Sequence, residues 1–292
     1  MRNERDAALV AFCAWFSSPL WFYGRTFFTE PYTVSFAIFA IAAIVARRYV
    51  VASLLLALTI AMKETGAILV VAILVGCVRP LGLRRTLVLT IGPLLFGVAF
   101  AVKNLLVVGT PFSTYQPFAI GDPLEGAIGL LVDAGHGLLW FAPLLTIAAA
   151  GWVRRSRLVP ADLSMAALLA FAGYYAVSAA WTGWDGGSCY GPRLLVPALP
   201  ALIVPLVALF DVLGPRARHA LVAPLFVAGF VVNWTAAADP FTAFWGIAIP
   251  PLLAKNLPVA ILGVPLGATL YWLIATKFTV PPGQRWFSRS SR

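Results

Sequence analysis

The chain is predicted to be all-α, a polytopic transmembrane helical protein of about ten spans, several of them short or broken by proline. The first observation behind this is composition. Hydrophobic residues make up 61% and charged residues 11% of the 292 positions, and the mean hydropathy is +0.90. That leaves too little polar surface to clothe a soluble globule of this size. The second is the texture of the apolar runs. Stretches such as 194–210 and 259–275 are continuously apolar, whereas barrel strands alternate in polarity over about 10 residues. In hydrocarbon only helices and closed barrels satisfy every backbone N–H and C=O internally, so these runs choose helices. The third is the distribution of charge, which gives a consistent topology.

Taken in order, the spans are expected at 8–23, 31–46, 50–62, 66–78, 86–108, 126–152, 162–181, 194–213, 220–236 and 259–276. The first begins after Arg2 and Arg5 in the manner of a secretory signal, but its apolar run continues to Tyr23 with no small-x-small cleavage pattern, so it stays as a helix. Residues 49–78 could form one long helix with Lys63-Glu64 buried at its middle, which would put Arg79, Arg84 and Arg85 outside; two short helices are preferred, each at about 1.5 Å per residue shorter than the roughly 30 Å hydrocarbon core, which sets their junction below the membrane surface. With an inside N-terminus, sixteen Lys and Arg fall on inside segments and five on outside ones, namely Arg25, Lys63, Lys103, Arg193 and Lys255. The acids divide the other way, four inside and seven outside. The positive-inside rule then supports an even span count with both termini cytoplasmic in a bacterial inner membrane. One transmembrane domain, 1–279, is followed by a short basic cytoplasmic tail, 280–292.

The net charge of +10 does not indicate nucleic acid, because the basic residues form short clusters between apolar runs. Cys13, Cys77 and Cys189 are too scattered for an expected internal disulfide, and no Cys/His cluster with metal-ligand spacing is present. Asn233-Trp234-Thr235 matches a glycosylation acceptor but lies too close to lipid to serve as one, and Gly263-x-x-x-Gly267 is read as internal helix packing.

Polar chemistry concentrates in four outer segments. In 21–31, Arg25 and Glu30 flank an aromatic turn, with Glu30 at the start of a helix opened by Pro31, where the dipole favours an anion. Lys63 and Glu64 form an ionisable pair below the membrane surface, costly unless it faces protein or water; a mutual ion pair steadying the turn competes with a functional role. The long segment 109–137 carries Tyr115, Asp122, Glu125, Asp133 and His136, the last between two glycines. The richest is Trp181-Thr182-Gly183-Trp184-Asp185-Gly186-Gly187-Ser188-Cys189-Tyr190-Gly191-Pro192-Arg193. Its glycines let backbone approach a ligand, Trp184 and Tyr190 offer stacking faces, and Arg193 can clamp a phosphate.

The order Tyr23-x-Arg25, Glu30-Pro31, Met62-Lys63-Glu64-Thr65-Gly66, Asn104, Gly109-x-Pro111-Phe112, Tyr115, Gly137-Leu138-Leu139, Pro143 and Trp184-x-Gly186-Gly187-x-x-x-Gly191-Pro192-Arg193 resembles bacterial multi-pass glycosyltransferases of the C structural class. Protein O-mannosyltransferases and lipid A aminoarabinose transferases are their relatives. The likeness covers nearly the whole chain through motifs that are individually loose. It implies inverting transfer of a sugar from a polyprenyl-phosphate donor to an envelope glycan, lipid or protein acceptor at the outer face. Glu30 stands where such enzymes have an acid before proline, Lys63 where a lysine ends a helix, and Arg193 where an arginine follows the glycine-rich loop. The expected site therefore pairs Glu30 and Asp185 as catalytic carboxylates with Arg25, Lys63, Glu64, Tyr115, His136, Trp184, Tyr190 and Arg193 as substrate and phosphate contacts. A divalent cation is the one cofactor left open. The chain departs from the pattern in that nothing before Tyr23 supplies the acidic first outer loop; truncation, lost chemistry, or substitution by Glu30 with Asp185 each account for this, and truncation is the expectation. The competing classes are a flippase or transporter of lipid-linked or amphipathic solutes, and a non-catalytic subunit of an envelope-assembly complex.

Overall fold

The computed structural model describes residues 4–111, 118–153, 159–245 and 248–277. They form α1 (Glu4–Phe16), α2 (Leu20–Tyr23), α3 (Thr29–Val45), α4 (Tyr49–Met62), α5 (Gly66–Leu81), α6 (Leu83–Val108), α7 (Pro123–Val132), α8 (Leu138–Phe141), α9 (Pro143–Ala148), α10 (Ala161–Ala180), α11 (Ile203–Val212), α12 (Pro215–Ala238), α13 (Pro240–Phe244), α14 (Ile249–Lys255) and α15 (Leu257–Lys277). Two 3-10 segments, Ala149–Val153 and Arg193–Leu202, extend α9 and lead into α11. The described residues contain no strand beyond one isolated antiparallel bridge between Ile120 and Trp181. The basic tail and Tyr115 lie outside the described residues.

Five helical stretches are long and apolar enough to cross a membrane: Leu83–Val108, Ala161–Ala180, Arg193–Val212, Arg216–Ala238 and Leu257–Thr276. Five shorter apolar stretches accompany them, among them α3, α4 and α5. The stretch Arg193–Val212 is more than half buried, whereas α6 shows Leu87, Ile91, Leu94, Leu95, Val98 and Val102 at its surface. That exposed apolar surface belongs in lipid, as the composition requires.

Three expected spans are interrupted, each for a local chemical reason. The 8–23 run breaks after Phe16, where the Ser17 and Ser18 hydroxyls donate to the carbonyls of Cys13 (2.5 Å) and Ala14 (2.6 Å) and Pro19 follows. Such bonds divert the helical ladder, and proline cannot continue it. The 126–152 run breaks at Asp133, whose carboxylate turns the chain before α8, and again at Pro143. The 194–213 run is 3-10 in its first half, because Pro197 and Pro200 lack the N–H groups that an α-helical ladder needs there.

The two-helix reading of 49–78 agrees with the fold. Lys63 is extended at the end of α4, and α5 turns back along it: Gly66 abuts the Thr59 backbone, and Arg85, just beyond α5, lies over the Tyr49 ring at the start of α4 (5.8 Å). The resulting antiparallel pairs sort the charges by end. Arg47 and Arg48 turn α3 into α4, Arg84 and Arg85 follow α5, Arg79 lies 3.8 Å from Asp162, and Arg216 and Arg218 open α12. The opposite end carries the turns holding Glu30, Lys63, His136, Asp185 and Arg193.

Packing between these helices relies on small residues and on repaired backbone. Gly263 and Gly267 of α15 admit Trp234 and Phe230 of α12, which is the internal packing expected of that motif. In α6, Pro93 has no N–H for the Leu89 carbonyl; the Ser53 hydroxyl of α4 donates to it (3.2 Å) and accepts the Gly92 N–H (2.8 Å). Ser53→Ala is expected to lower stability by about 1–3 kcal/mol, since the Leu89 carbonyl, already without the Pro93 N–H, then loses the hydroxyl that donates to it in a buried contact. Thermal unfolding in detergent measures it, and an unchanged midpoint would show that the α4–α6 contact does not depend on this repair.

Candidate functional site

Glu30 opens α3, the helix that Pro31 preorganises, and its side chain is fully buried. Its Oε1 accepts from Lys63 Nζ at 2.7 Å and from Arg193 Nε at 2.9 Å. Lys63 reaches it because α3 and α4 are antiparallel, which brings the end of one beside the start of the other. Arg193 reaches it because the loop after α10 delivers the first residue of the central 3-10 segment against α3. The guanidinium lies 4.1 Å from the centroid of the Phe28 ring, a cation–π contact that fixes its plane.

One carboxylate against two cations leaves one positive charge in surplus. The carboxylate side chain has 0% exposure, while Lys63 has 20% and Arg193 28%, so the cations, and not the acid, meet the surroundings. The arrangement is suited to holding an anion. It also corrects the local pairing: Lys63 bonds Glu30 across 33 residues, and the exposed Glu64 is not its partner, as adjacent residues do not face one another.

Behind this cluster the glycine-rich loop folds back on itself. Asp185 Oδ1 accepts the Gly187 N–H (3.0 Å), and Gly186, with φ of 75°, lies so close that a Cβ there would be 3.7 Å from Cβ of Arg193. Gly191 has φ of 59° and its missing Cβ would meet the Phe141 ring at 2.7 Å. Only glycine suits either position. Tyr190 is buried between Phe22 (4.4 Å) and Phe141 (4.9 Å), so its ring faces are taken by protein instead of being open to stack on a ligand. Burial pushes the Cys189 thiol up to about 11, which keeps it neutral at physiological pH and unsuited to nucleophilic work.

Beyond the start of the loop, Trp184 packs on Gly129 of α7 and meets the His136 ring edge-on at 6.2 Å. His136 Nδ1 lies 3.1 Å from Asp133 Oδ2. Arg25 is placed elsewhere: its Nη2 donates to the Ala237 carbonyl at the end of α12 (3.2 Å), which satisfies a terminal helix acceptor. The structure thus unites Glu30, Lys63 and Arg193, sets Asp185 and Trp184 along the adjoining loop with His136 in the α7–α8 turn against Trp184, and leaves Arg25 and Glu64 apart.

Two polar groupings escaped sequence reasoning. Asn233, fully buried in α12, donates through Nδ2 to the carbonyls of Phe141 (3.0 Å) and Gly229 (2.7 Å) and accepts from the Tyr190 hydroxyl through Oδ1 (3.1 Å). The Tyr23 hydroxyl donates to the Tyr190 carbonyl (2.6 Å). An asparagine alone in an apolar run was the available signal. The second is Asp239, bonded to Asn256 (3.2 Å) and ion-paired with Lys255 (3.2 Å). Hydrogen bonding from Thr242, with help from Asn256 and Lys255, holds its carboxyl near 2, so it stays ionised as a cap for α13. Among the described residues no group of His, Cys, Asp and Glu is arranged to hold a metal ion. No family model, no curated protein and no solved structure matches the chain significantly.

Proposed function

We propose that the chain is a membrane glycosyltransferase of the C structural class, moving a sugar from a polyprenyl-phosphate carrier to an envelope acceptor at the outer face of a bacterial inner membrane. The observation that carries this reading is the sealed Glu30 carboxylate holding Lys63 and Arg193 with one positive charge to spare. A phosphodiester-linked donor carries one negative charge, which the surplus matches. When the sugar departs, the lipid phosphate gains a second negative charge, so its attraction to the two cations grows in the transition state. Glu30 positions the cations in this mechanism, because a fully enclosed carboxylate cannot reach an acceptor hydroxyl. The site lies at the end of the bundle opposite the arginine-rich turns, which by the positive-inside rule is the outer side.

The test is transfer by the purified, reconstituted chain from polyprenyl-phosphate-linked labelled sugars to envelope acceptors. Lys63→Met and Arg193→Met are each expected to lower the rate about 10²-fold or more while the chain remains folded. Absence of transfer and of polyprenyl-phosphate binding by the unaltered chain would overturn the proposal. Donor-independent solute uptake into proteoliposomes would assign the chain to the carriers instead.

A further inference from the structure

We infer that the arginine-rich end of helices α3 to α6 binds an anionic phospholipid, whose phosphate is held by Arg47, Arg48, Arg84 and Arg85; this binding is independent of what the Glu30 cluster does. Segment 31–121 contains these four arginines and Arg79 but only one acid, Glu64, which follows α4 at the opposite end. Asp162, approaching from α10, lies 3.8 Å from Arg79. Among the described residues no carboxylate comes within ion-pair distance of the other four arginines, and all four are exposed. Their counter-charge has to come from outside the protein.

Two turns set these arginines side by side. At the end of α3 the Arg48 N–H donates to the Ala43 carbonyl (2.8 Å) and the Arg47 N–H to the Ile44 carbonyl (2.9 Å), with Arg47 at φ of 60°. Glycine is the usual residue at that left-handed position, because a Cβ strains it. Arg47 is thus kept against its backbone preference at a place where its guanidinium meets solvent. Across the α4–α6 contact, Gly82, with φ of 77°, turns α5 into α6, whose first turn holds Arg84 and Arg85. Arg85 lies 5.8 Å from the centroid of the Tyr49 ring, and Tyr49 follows Arg48 directly. The two arginine pairs therefore border one patch.

The surroundings favour a lipid over a soluble anion. Exposed apolar side chains continue from each pair along its helix, Val50 and Leu54 on α4, Leu87 and Ile91 on α6. Guanidinium groups fork onto phosphate oxygens, while acyl chains of the same molecule lie along the apolar faces beyond them. A free phosphate would make only the first of these contacts.

The experiment follows phosphatidylglycerol bound to the full chain in detergent micelles by native mass spectrometry, with phosphatidylcholine as neutral competitor. The unaltered chain is expected to retain phosphatidylglycerol in preference. Replacing Arg84 and Arg85 together, Arg84→Gln with Arg85→Gln, is expected to lower that preference at least about tenfold. Arg47→Gly is expected to lower it about fivefold with no fall in the unfolding midpoint, because glycine suits φ of 60°; lost binding there is not lost folding. Arg216→Gln, at the same end but on α12, which packs on α1, α9 and α15, is expected to change it less than twofold. An equal loss in Arg216→Gln would reveal a diffuse effect of charge and overturn the site. Undiminished preference in both the Arg47 variant and the Arg84 and Arg85 double variant would overturn it as well. Release of the lipid by millimolar inorganic phosphate would assign the patch to a soluble anion and overturn the lipid as its occupant.

Discussion

Glu30→Gln is expected to destabilise the chain by about 2–4 kcal/mol, the range for removing one partner of a buried ion pair whose other members keep some access to solvent. Glutamine preserves size and one acceptor oxygen, so the loss is one of charge and not of packing. Lys63 Nζ and Arg193 Nε both lie within 3 Å of the same carboxylate oxygen. Without its negative charge the two cations repel at close range. Thermal unfolding in detergent should show a lowered midpoint. Adding Lys63→Met to Glu30→Gln should cost less than the two separate losses combined, since the double variant no longer strands two cations. Strict additivity would show that the three side chains do not act as a unit. The same variant bears on mechanism: if Glu30 positions the cations, donor affinity falls along with turnover, whereas a proton acceptor would lose turnover alone.

Asn233→Ala is the second change with a large expected effect, about 2–4 kcal/mol. It removes two donations to carbonyls and one acceptance from Tyr190, all in a region without exposure. Each group left behind carries a desolvation cost of about 1–3 kcal/mol, reduced where neighbours relax. The Phe141 carbonyl lies at the break between α8 and α9, where helical hydrogen bonding is interrupted. The consequence should reach the site, because Tyr190 and Arg193 belong to one loop and Tyr23 grips the same peptide from α2. A lowered unfolding midpoint together with weakened polyprenyl-phosphate binding is the expected result. Unchanged stability would mean that the loop is held by its ring contacts alone.

Helix class was legible because hydropathy is additive along the chain: long apolar runs without alternation leave only helices. The break at Lys63 was only half legible: two charges in a row permitted either one long helix or two short ones, and charge placement favoured the two that the fold contains. Breaks inside runs were harder. Ser17-Ser18-Pro19 and the 3-10 course through Pro197 and Pro200 replace single expected helices, and whether a proline kinks, ends or tightens a helix depends on neighbours that supply or withhold hydrogen bonds.

The arginine at the end of the glycine-rich loop and the acid before Pro31 could each be named from sequence, but not as partners. They are 163 residues apart, and an ion pair carries no mark in linear spacing unless both members share one helix. Lys63 shows this most directly: its sequence neighbour Glu64 was the obvious counterion, yet the antiparallel course of α3 and α4 delivers Glu30 instead. Composition and charge order by themselves pointed to a helical membrane protein whose charges sit in turns at the two ends of its helices, arginines concentrated at one and most acids at the other. Which of those groups touch, and that the acid is sealed while the cations reach the surface, was decided by helix packing, because distance and burial are properties of neighbours that the chain brings together only when it folds.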